Sequence, residues 1–445
     1  MSPRRLSLLV LALVCLIFHP SARGTDSRAD RPNVLFLFAD DQRADTIAAH
    51  GNPSIQTPNL DKLARSGVSF RRAYMQGGMQ GATCVPSRAM LLSGQSLFRI
   101  DEKLMRDPSW PEAFRDSGYS TFVTGKWHNG DASISKCFQA ARSMFTGGMT
   151  NPMQAPLRQL EGGVLGKPKT TDRHACEVFA DEAIRFLNEP RTGPFLCYVP
   201  FDAPHDPHIV PNDFKTSYAP SSIPLPANFL PEHPFDNGEM KVRDEVLLSS
   251  PRTPDAVRAM LAEYYRYVSY LDLQVGRILD ALAASPHAKN TIIVFSADSG
   301  VARGSHGLVG KQNLYEHSLR VPLIVSGPGI PQNVFTEALC YLFDVFPSLG
   351  GMCGVKGPAT SEGLDFSAVL RDPSKLGRPH LQFAYKNVQR AVRDEQWKLI
   401  RYPEVNRTQL FDLNADPLET RDLSGDAAQA ARIGVLSSLL PVVRQ

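Results

Sequence analysis

The sequence predicts an α/β sandwich in which helices flank a central, mostly parallel sheet. Three observations lead to this prediction. Several short apolar runs have the length of strands, and each ends in polar residues. Segments with helical periodicity lie between these runs, an alternation typical of parallel sheets covered by helices. From about residue 375 the pattern changes to short strands with polar turns, which predicts a small α+β C-terminal subdomain with a short antiparallel sheet.

Four apolar runs are predicted as central strands. They are VLFLFADD at 34–41, STFVTGKWH at 120–128, FLCYVPFDAPH at 195–205 and TIIVFSADSG at 291–300. Because these runs are apolar on both faces, they belong in the middle of a sheet that is covered on both sides. Their polar ends should meet at the carboxyl edge of the sheet, where ligands bind in such folds.

Three segments have the apolar spacing of helices: TPNLDKLARSG, HACEVFADEAIRFLNE and TPDAVRAMLAEYYRYVSYLDLQVGRILDALAAS. The proline-rich region 206–255 is predicted to form a long irregular loop, and long loops in compact domains often carry function. We therefore assign residues 31–374 to one large α/β domain and residues 375–445 to the C-terminal subdomain.

The first residues, 1–24, have the pattern of a secretory signal peptide, with two arginines ahead of a short apolar stretch. A lipid anchor at Cys15 is a weaker alternative, because Val14 stands where a small residue is wanted. No later run is long and charge-free enough to cross a bilayer. We expect a secreted or periplasmic protein without a stable membrane span. The formal net charge of +3 gives no indication of nucleic-acid binding.

Two adjacent acids, Asp40 and Asp41, follow the first predicted strand, and Asp298 follows another. Buried carboxylates this close repel one another and lose hydration, so they need a compensating charge. Three acids from two strand ends suit Ca²⁺ or Mg²⁺ rather than Zn²⁺. Each aspartate alone could instead cap a turn. The cationic residues at matching strand ends favour the metal site.

The stretch GATCVPSRAMLLSG places Cys84 at the start of a predicted helix. Pro86 suits the first turn and Gly94 the end. Free N–H groups at a helix N-terminus favour negative charge, and Arg88 lies about one turn further on. Cys84 is therefore a candidate reactive centre, rather than half of a disulfide or a buried filler. The cysteines first suspected of pairing, on proximity alone, are Cys340 and Cys353.

CVPSR followed by AMLLSG resembles the C-x-P-S-R signature of the type I, formylglycine-dependent sulfatases, in the alkaline-phosphatase-like superfamily. ADD, TGKWH, APHDP, ADSG and HGLVGKQNLYEHSLRVPLIV also occur in the family order. The resemblance runs from about Asn33 to about Asp422. It implies a sulfatase catalytic domain over residues 31–374 with the family's C-terminal subdomain behind it.

The resemblance implies that a maturation enzyme oxidises Cys84 to Cα-formylglycine. One hydroxyl of the aldehyde hydrate would attack the sulfur of a sulfate ester, and the other would later expel sulfate. The metal, Ca²⁺ rather than Mg²⁺, would be held by Asp40, Asp41, Asp298, Ser299 and the modified Cys84. Ser299 departs from the family pattern, in which asparagine or histidine is usual. A serine hydroxyl is a poorer ligand than an amide carbonyl, so either Ser299 or a water completes the site.

The same resemblance gives roles to five further residues. Arg88 would steady the hydrated formylglycine, and Lys126 and Lys311 would neutralise sulfate oxygens. His128 and His205 are the acid–base candidates, with their two roles left open. A lone lysine or histidine in a loop is usually a solvated surface residue, but these side chains follow predicted strands or a glycine-rich loop.

His205 competes with His208, three residues on. His205 is preferred because the family places its histidine two residues before a proline, as Pro207 is here. The implied activity is hydrolysis of organic sulfate esters, with a sulfated saccharide as the expected substrate. The alternatives are a phosphonate or phosphate monoester hydrolase of the same superfamily, and a non-catalytic protein that binds sulfated glycans.

Overall fold

The computed structural model describes residues 31–442, so the signal peptide expected at 1–24 lies outside it and stays a prediction. The strands are β1 Asn33–Ala39, β2 Gly67–Tyr74, β3 Gly77–Gly78, β4 Ser120–Val123, β5 Ala140–Ala141, β6 Pro156–Leu157, β7 Leu160–Glu161, β8 Val164–Leu165, β9 Lys169–Thr170, β10 Phe195–Pro200, β11 Thr291–Ala297, β12 Arg320–Ser326, β13 Val334–Thr336, β14 Cys340–Tyr341, β15 Leu381–Tyr385, β16 Gln389–Arg393, β17 Trp397–Tyr402 and β18 Arg407–Asp412. The helices are α1 Pro58–Arg65, α2 Cys84–Ser93, α3 Trp110–Asp116, α4 Ala132–Cys137, α5 Ala175–Asn188, α6 Pro254–Ala284, α7 Glu316–Leu319, α8 Val345–Cys353, α9 Ser367–Arg371 and α10 Ala430–Ser438.

The main sheet has nine strands in the order β13-β2-β12-β11-β1-β10-β4-β5, with β14 also pairing with β2. Strands β11, β1, β10, β4 and β5 run parallel, and β12 is antiparallel to both of its neighbours. Every residue of β1 is buried, as expected for a strand covered on both faces. The α/β prediction with a mostly parallel central sheet is confirmed.

The register of β1 and β11 brings the predicted acids together. These parallel strands pair from Asn33 with Thr291 to Ala39 with Ala297. Asp40 and Asp298 are the next residue of each strand, so both emerge side by side at the carboxyl edge of the sheet. Strands β10 and β4 are parallel neighbours on the other side of β1 and end at the same edge.

The three predicted helices form as α1, α5 and α6. The longest, α6, spans 31 residues, and the Thr253 side chain caps it by accepting a hydrogen bond from the backbone N–H of Ala256. Pro254 occupies the first turn, where its missing N–H costs nothing. Helix α6 packs against α1 and α5, while α2 packs against α3 and α8.

A second sheet of five strands, in the order β18-β17-β16-β15-β3, forms the C-terminal part. Strands β15 to β18 are antiparallel, as the tail pattern predicts. The fifth strand, β3, comes from residues 77–78 and pairs in parallel with β15. This sheet is therefore not built from residues 375–445 alone, and the boundary at 375 stays a prediction.

The six cysteines of the described residues are all free and buried. The suspected pairing of Cys340 with Cys353 is therefore wrong. Cys340 lies in β14, whereas Cys353 is the last residue of α8, with its sulfur 3.8 Å from the Pro32 carbonyl oxygen. Proximity in sequence did not bring the two thiols together. Within residues 31–442, no helix has the length and apolar character needed to span a membrane.

Candidate active site

Asp40, Asp41 and Asp298 form one buried group at the carboxyl edge of the main sheet. The backbone N–H of Asp298 donates to the Ala39 carbonyl oxygen at 3.1 Å, which continues the pairing of β1 with β11. The chain then turns at Asp41, whose φ of 64° is left-handed. This turn lets the Asp41 N–H donate to Asp298 Oδ1 at 3.0 Å, so the backbone itself holds the acids in contact.

Three buried cations neutralise these acids. Arg88 donates from Nε to Asp298 Oδ2 at 3.0 Å, and its Nη2 lies 3.4 Å from Asp40 Oδ2. The Lys126 ammonium pairs with Asp40, and Lys311 Nζ lies 2.6 Å from Asp41 Oδ1. Side chains from α2 and from the loops after β4 and β11 therefore converge on one spot.

Burial and neighbouring charge set opposite pKa shifts for two of the acids. Burial by itself would raise the pKa of Asp40, but Lys126 and Arg88 outweigh it and hold that pKa well below its usual value. Burial raises the pKa of Asp298 to about 7, aided by the negative charge of Asp40 and opposed by Arg88. Neighbouring positive charge therefore outweighs burial at Asp40 but not at Asp298.

Cys84 is the first residue of α2 and is buried. Its sulfur lies 3.1 Å from His128 Nδ1. The ligating atoms of Cys84, Asp40 and Asp298 all lie within 4.8 Å of one another. Burial raises the pKa of the Cys84 thiol to about 11, against the pull of Lys311 and Lys126, so this side chain is not a thiolate at neutral pH.

The structure separates the two competing histidines. His205 Nε2 lies 3.7 Å from Asp41 Oδ2, and its Nδ1 is 2.7 Å from the Asp206 carbonyl oxygen. His208 is not part of this group, because its Nε2 accepts a hydrogen bond from Arg303 at 3.2 Å in a neighbouring cavity. Of the two, His205 is the histidine beside the acids.

A pocket of about 360 Å³ opens above Cys84. Its walls contain the predicted His128, His205 and Lys311, together with residues that sequence reasoning missed: Gly148, Met149, Arg243, Asp244 and Gln312. Arg243 and Asp244 belong to the proline-rich loop, which was expected to carry function but offered no periodicity to place its side chains.

One observation that does not depend on the family resemblance indicates that the three acids suit a divalent cation. Asp40 Oδ1 is buried and accepts no hydrogen bond. A buried carboxylate oxygen without a donor is costly, and a hard cation would satisfy it. Ser299 is also buried here, but its hydroxyl donates to Asp41 Oδ1 at 2.8 Å. The structure therefore places Ser299 against an acid of the group.

Two family profiles match the chain. The one described as Sulfatase covers residues 32–355, and the one described as N-sulphoglucosamine sulphohydrolase, C-terminal, covers residues 304–444. Curated relatives include N-acetylglucosamine-6-O-sulfatase of Bacteroides thetaiotaomicron, 25% identical over 98% of this chain and 90% of its own length. Iduronate 2-sulfatase of Mus musculus is 26% identical over 97% of each chain. The ulvan-active sulfatase of Formosa agariphila is 28% identical over 89% of this chain and 77% of its own.

Solved structures share the fold. One in complex with its substrate D-glucosamine-2-N,6-O-disulfate has a TM-score of 0.75 at 23% identity, covering 92% of this chain and 96% of that one. The phosphonate monoester hydrolase of Agrobacterium radiobacter has a TM-score of 0.74 at 24% identity, with 92% and 95% covered. Such likeness shows the fold alone, and one fold supports several reactions. The Sulfatase profile, in contrast, spans most of the chain and all the residues gathered around Cys84. The chain belongs to the sulfatase family of the alkaline-phosphatase-like superfamily and is a sulfuric ester hydrolase.

Proposed function

We propose that this protein is an exported carbohydrate sulfatase that uses a formylglycine at position 84 and a divalent metal, with Ca²⁺ preferred. The observation that carries the proposal is the convergence of three buried acids and three buried cations on Cys84, at the floor of an open pocket. Charged groups are kept out of water only at a cost, so their concentration beside an accessible pocket indicates a chemical role.

The names of the relatives support a sulfated saccharide as substrate. N-acetylglucosamine-6-O-sulfatase and the ulvan-active sulfatase are named for glycan substrates, and both align with most of this chain. The pocket supports it too, because its volume of about 360 Å³ is in the range that binds a small ligand such as a sugar unit.

Asp40, Asp41 and Asp298 would hold the metal, with Ser299 and the modified residue 84 next to them. Oxygen ligands of this kind favour Ca²⁺ or Mg²⁺. When bound, the ion supplies Lewis-acid polarisation of the sulfate group. Its two positive charges would also add to a group in which three acids and three cations otherwise balance.

The proposed work of the lysines is to neutralise the sulfate oxygens. Lys311 lines the pocket, and Lys126 lies beneath it, where its ammonium also donates to the Gly148 carbonyl oxygen at 2.5 Å. Fixed positive charges in a site that excludes water stabilise developing negative charge without reorganisation. Arg88 holds Asp40 and Asp298 in place from below and donates to the Lys126 carbonyl oxygen at 3.0 Å.

The geometry supports different roles for the two histidines. His128 Nδ1 is within hydrogen-bond distance of the Cys84 sulfur, so His128 is proposed to move the proton at residue 84. His205 lines the same pocket next to Asp41 and makes no such contact, so it is proposed to protonate the leaving alcohol. A formylglycine at position 84 would supply the covalent chemistry that the buried, protonated thiol does not.

A desulfation screen over defined sulfated saccharides tests the proposal. The chain should be produced with a formylglycine-generating maturation enzyme, and peptide mass spectrometry should find residue 84 lighter than cysteine by about 18 Da, the mass change from thiol to aldehyde. Sulfate release from at least one saccharide is expected, with loss of about 10,000-fold or more in Cys84→Ala.

Parallel assays on aryl sulfate and aryl phosphonate examine the alternative reaction. A large preference for the phosphonate would contradict the sulfatase proposal. Persistent unmodified cysteine at position 84, in a host that has the maturation enzyme, would favour a non-catalytic protein that binds sulfated glycans. Cys353→Ala is the matched control, since it removes another buried thiol far along the chain.

Export is supported by the sequence of residues 1–24 and rests on it alone. Expression of the full chain in a secreting host should yield a mature protein that begins near residue 25, as N-terminal sequencing would show. Recovery of the uncleaved chain from the cytoplasm would contradict this part of the proposal.

A further inference from the structure

We propose that Arg303 forms a second anion-binding subsite beside the catalytic pocket, so that the preferred substrate carries a second negative group besides the sulfate to be removed. The group would be a uronate carboxylate or another sulfate, which share the chemistry that a guanidinium recognises. This inference rests on the proposed function and names its substrate class more closely.

A cavity of about 650 Å³ lies next to the catalytic pocket. Met149 and Arg243 line both spaces, and Arg243 Nη2 lies 2.9 Å from the Met149 sulfur. These two side chains form the partition between the spaces. A substrate whose sulfate is held above Cys84 would extend past this partition into the larger cavity.

Arg303 lines that cavity and is only 2% exposed. Its guanidinium makes two polar contacts, one to His208 Nε2 at 3.2 Å and one to the Met260 sulfur at 3.8 Å. Within the described part of the chain no carboxylate lies within 4.0 Å of it, and its Nε is buried without an acceptor. A buried charge without a counter-ion is costly, and an anionic ligand would provide one.

The neighbouring groups leave Arg303 available. Arginine has no acceptor, so it donates to Nε2 of a neutral His208, and burial together with the charge of Arg303 lowers the pKa of His208 well below its usual value. Asp206, an acid of the cavity whose charge also interacts with Arg303, already binds the Arg243 guanidinium with both of its oxygens. Glu263, the other acid of the lining, is exposed on α6.

The remaining wall suits the body of a sugar. Ala256, Ala259, Met260 and Glu263 follow one face of α6 at helical spacing and all line the cavity. The Arg303 guanidinium is held by the Tyr264 ring, 5.4 Å from its centroid. Tyr264 also donates to the Asp41 carbonyl oxygen at 2.8 Å, so one side chain connects the acid group with the proposed subsite.

The inference is tested by measuring how tightly sulfated saccharides bind to the full-length Cys84→Ala variant with Ca²⁺ present. This variant should not hydrolyse the probes during the measurement. The probes are N-acetylglucosamine 6-sulfate, D-glucosamine-2-N,6-O-disulfate and 6-sulfated, N-acetylated heparin and chondroitin disaccharides with a uronate carboxylate. Calorimetry should show that a second anion strengthens binding by about tenfold or more, the usual effect of a charged hydrogen bond. The sulfate and uronate probes distinguish the two sources of that anion.

Arg303→Met should abolish this gain, whereas Arg258→Met should keep it, because Arg258 pairs with Asp255 on α6 outside the cavity lining. If Arg303→Met fails to fold, Met260→Glu tests the same point by placing a carboxylate beside the guanidinium. A gain that survives Arg303→Met or Met260→Glu, or no gain with any probe, overturns the inference.

Hydrolysis of 4-nitrophenyl sulfate by the matured Cys84 chain separates the inference from the proposed function. This substrate has no second anion. If it is cleaved while no probe shows the gain, the subsite is wrong and the sulfatase proposal stands. If neither it nor any saccharide of the desulfation screen is cleaved while an Arg303-dependent gain is measured, the subsite stands and the proposed function fails.

Discussion

Two buried charge clusters in this molecule invite comparison. The first, which we propose to be catalytic and call the catalytic cluster, comprises Asp40, Asp41 and Asp298 with Arg88, Lys126 and Lys311. The interface cluster comprises Glu316 and Glu419 with Arg393 and Lys398, and joins α7 of the large domain to β16 and β17 of the second sheet. Lys398 Nζ lies 3.1 Å from Glu316 Oε1 and 2.8 Å from Glu419 Oε1.

The two clusters are alike in their titration. In each one, burial raises the pKa of one acid to about 7, namely Asp298 and Glu419. In each one, cations outweigh burial and lower the pKa of another acid, which is Asp40 in the first cluster and Glu316, at about 2, in the second. A shifted pKa therefore does not by itself distinguish a reactive group from a structural one.

The clusters differ in what lies next to them. The catalytic cluster borders a pocket of about 360 Å³, whereas the interface cluster borders a cavity of about 30 Å³, room for about one water. In the interface cluster, Arg393 and Lys398 of the second sheet instead bind Glu316 of the large domain, which also accepts a hydrogen bond from Tyr74 of β2 at 2.6 Å. Access to space for a ligand, rather than buried charge, marks the functional cluster.

Removal of Lys398 should have the largest effect on stability. Lys398→Met removes the only cation within 4.0 Å of Glu419 in the described residues and leaves Glu316 with the more distant Arg393 and Arg320, so we expect the free energy of unfolding to fall by about 3–5 kcal/mol. Chemical denaturation measures the loss. The value of kcat/KM per folded molecule should stay within about twofold, and a large kinetic defect in folded protein would contradict the structural role.

Lys126→Met should show the opposite pattern. Loss of this ammonium is expected to lower kcat/KM for sulfate release by about 100-fold to 1,000-fold, the usual effect of losing one stabilising charge in a site that excludes water. Stability should fall less than in Lys398→Met, because Asp40 keeps Arg88 at 3.4 Å. Steady-state kinetics and chemical denaturation should be measured for both Lys126→Met and Lys398→Met. An equal loss of activity in the two variants would contradict the different roles proposed for the two clusters.

Metal removal should affect the catalytic cluster alone. Ca²⁺ at about 100 times its Kd is expected to stabilise the folded protein by about 2.7 kcal/mol, and EDTA should reverse this. Thermal unfolding with and without the ion measures the difference. Asp298→Asn should remove most of the response and Glu419→Gln should keep it. If the stabilisation by Ca²⁺ depends on Glu419 instead, the metal binds the interface cluster and the proposed metal site is contradicted.

The smallest effect expected at neutral pH comes from two histidines near the interface cluster, which should lower stability only in acid. Burial lowers the pKa of both His233 and His306 to about 4. The unfolded chain binds these protons near pH 6.5 and the folded chain does not, so stability is full above pH 6.5 and falls between about 6.5 and 4. The full shift of each pKa corresponds to about 3 kcal/mol, and this loss is complete only below about pH 4.

His306→Phe tests this pH dependence, since a phenyl ring keeps the stacking on Tyr315, 4.1 Å between centroids, but does not titrate. The slope of unfolding free energy against pH should become shallower between pH 6.5 and 4. The charged neighbours are Arg407 and Asp236 for His233, and Lys398 and Asp416 for His306. An unchanged slope would rule out His306 as a source.

Much of the site was predictable because its residues directly follow strands. A buried apolar run that ends in Asp40 and Asp41, and another that ends in Asp298, place carboxylates at one sheet edge whatever the loops do. Cys84 was equally predictable, because proline and glycine positions mark its helix. The sequence analysis was wrong about Cys340 and Cys353, where it used proximity in place of geometry.

The amino-acid sequence by itself determined the α/β class, the family and the charged motif residues expected around Cys84, because strand patterns and motif spacing are local properties. Only the tertiary structure decided where Arg243 and Arg303 lie, and which buried charges meet an open pocket. Those properties depend on contacts between residues far apart in the chain, such as Arg303 with His208, and on the path of an irregular loop. Local sequence patterns carry no information about long-range contacts or about the path of an irregular loop.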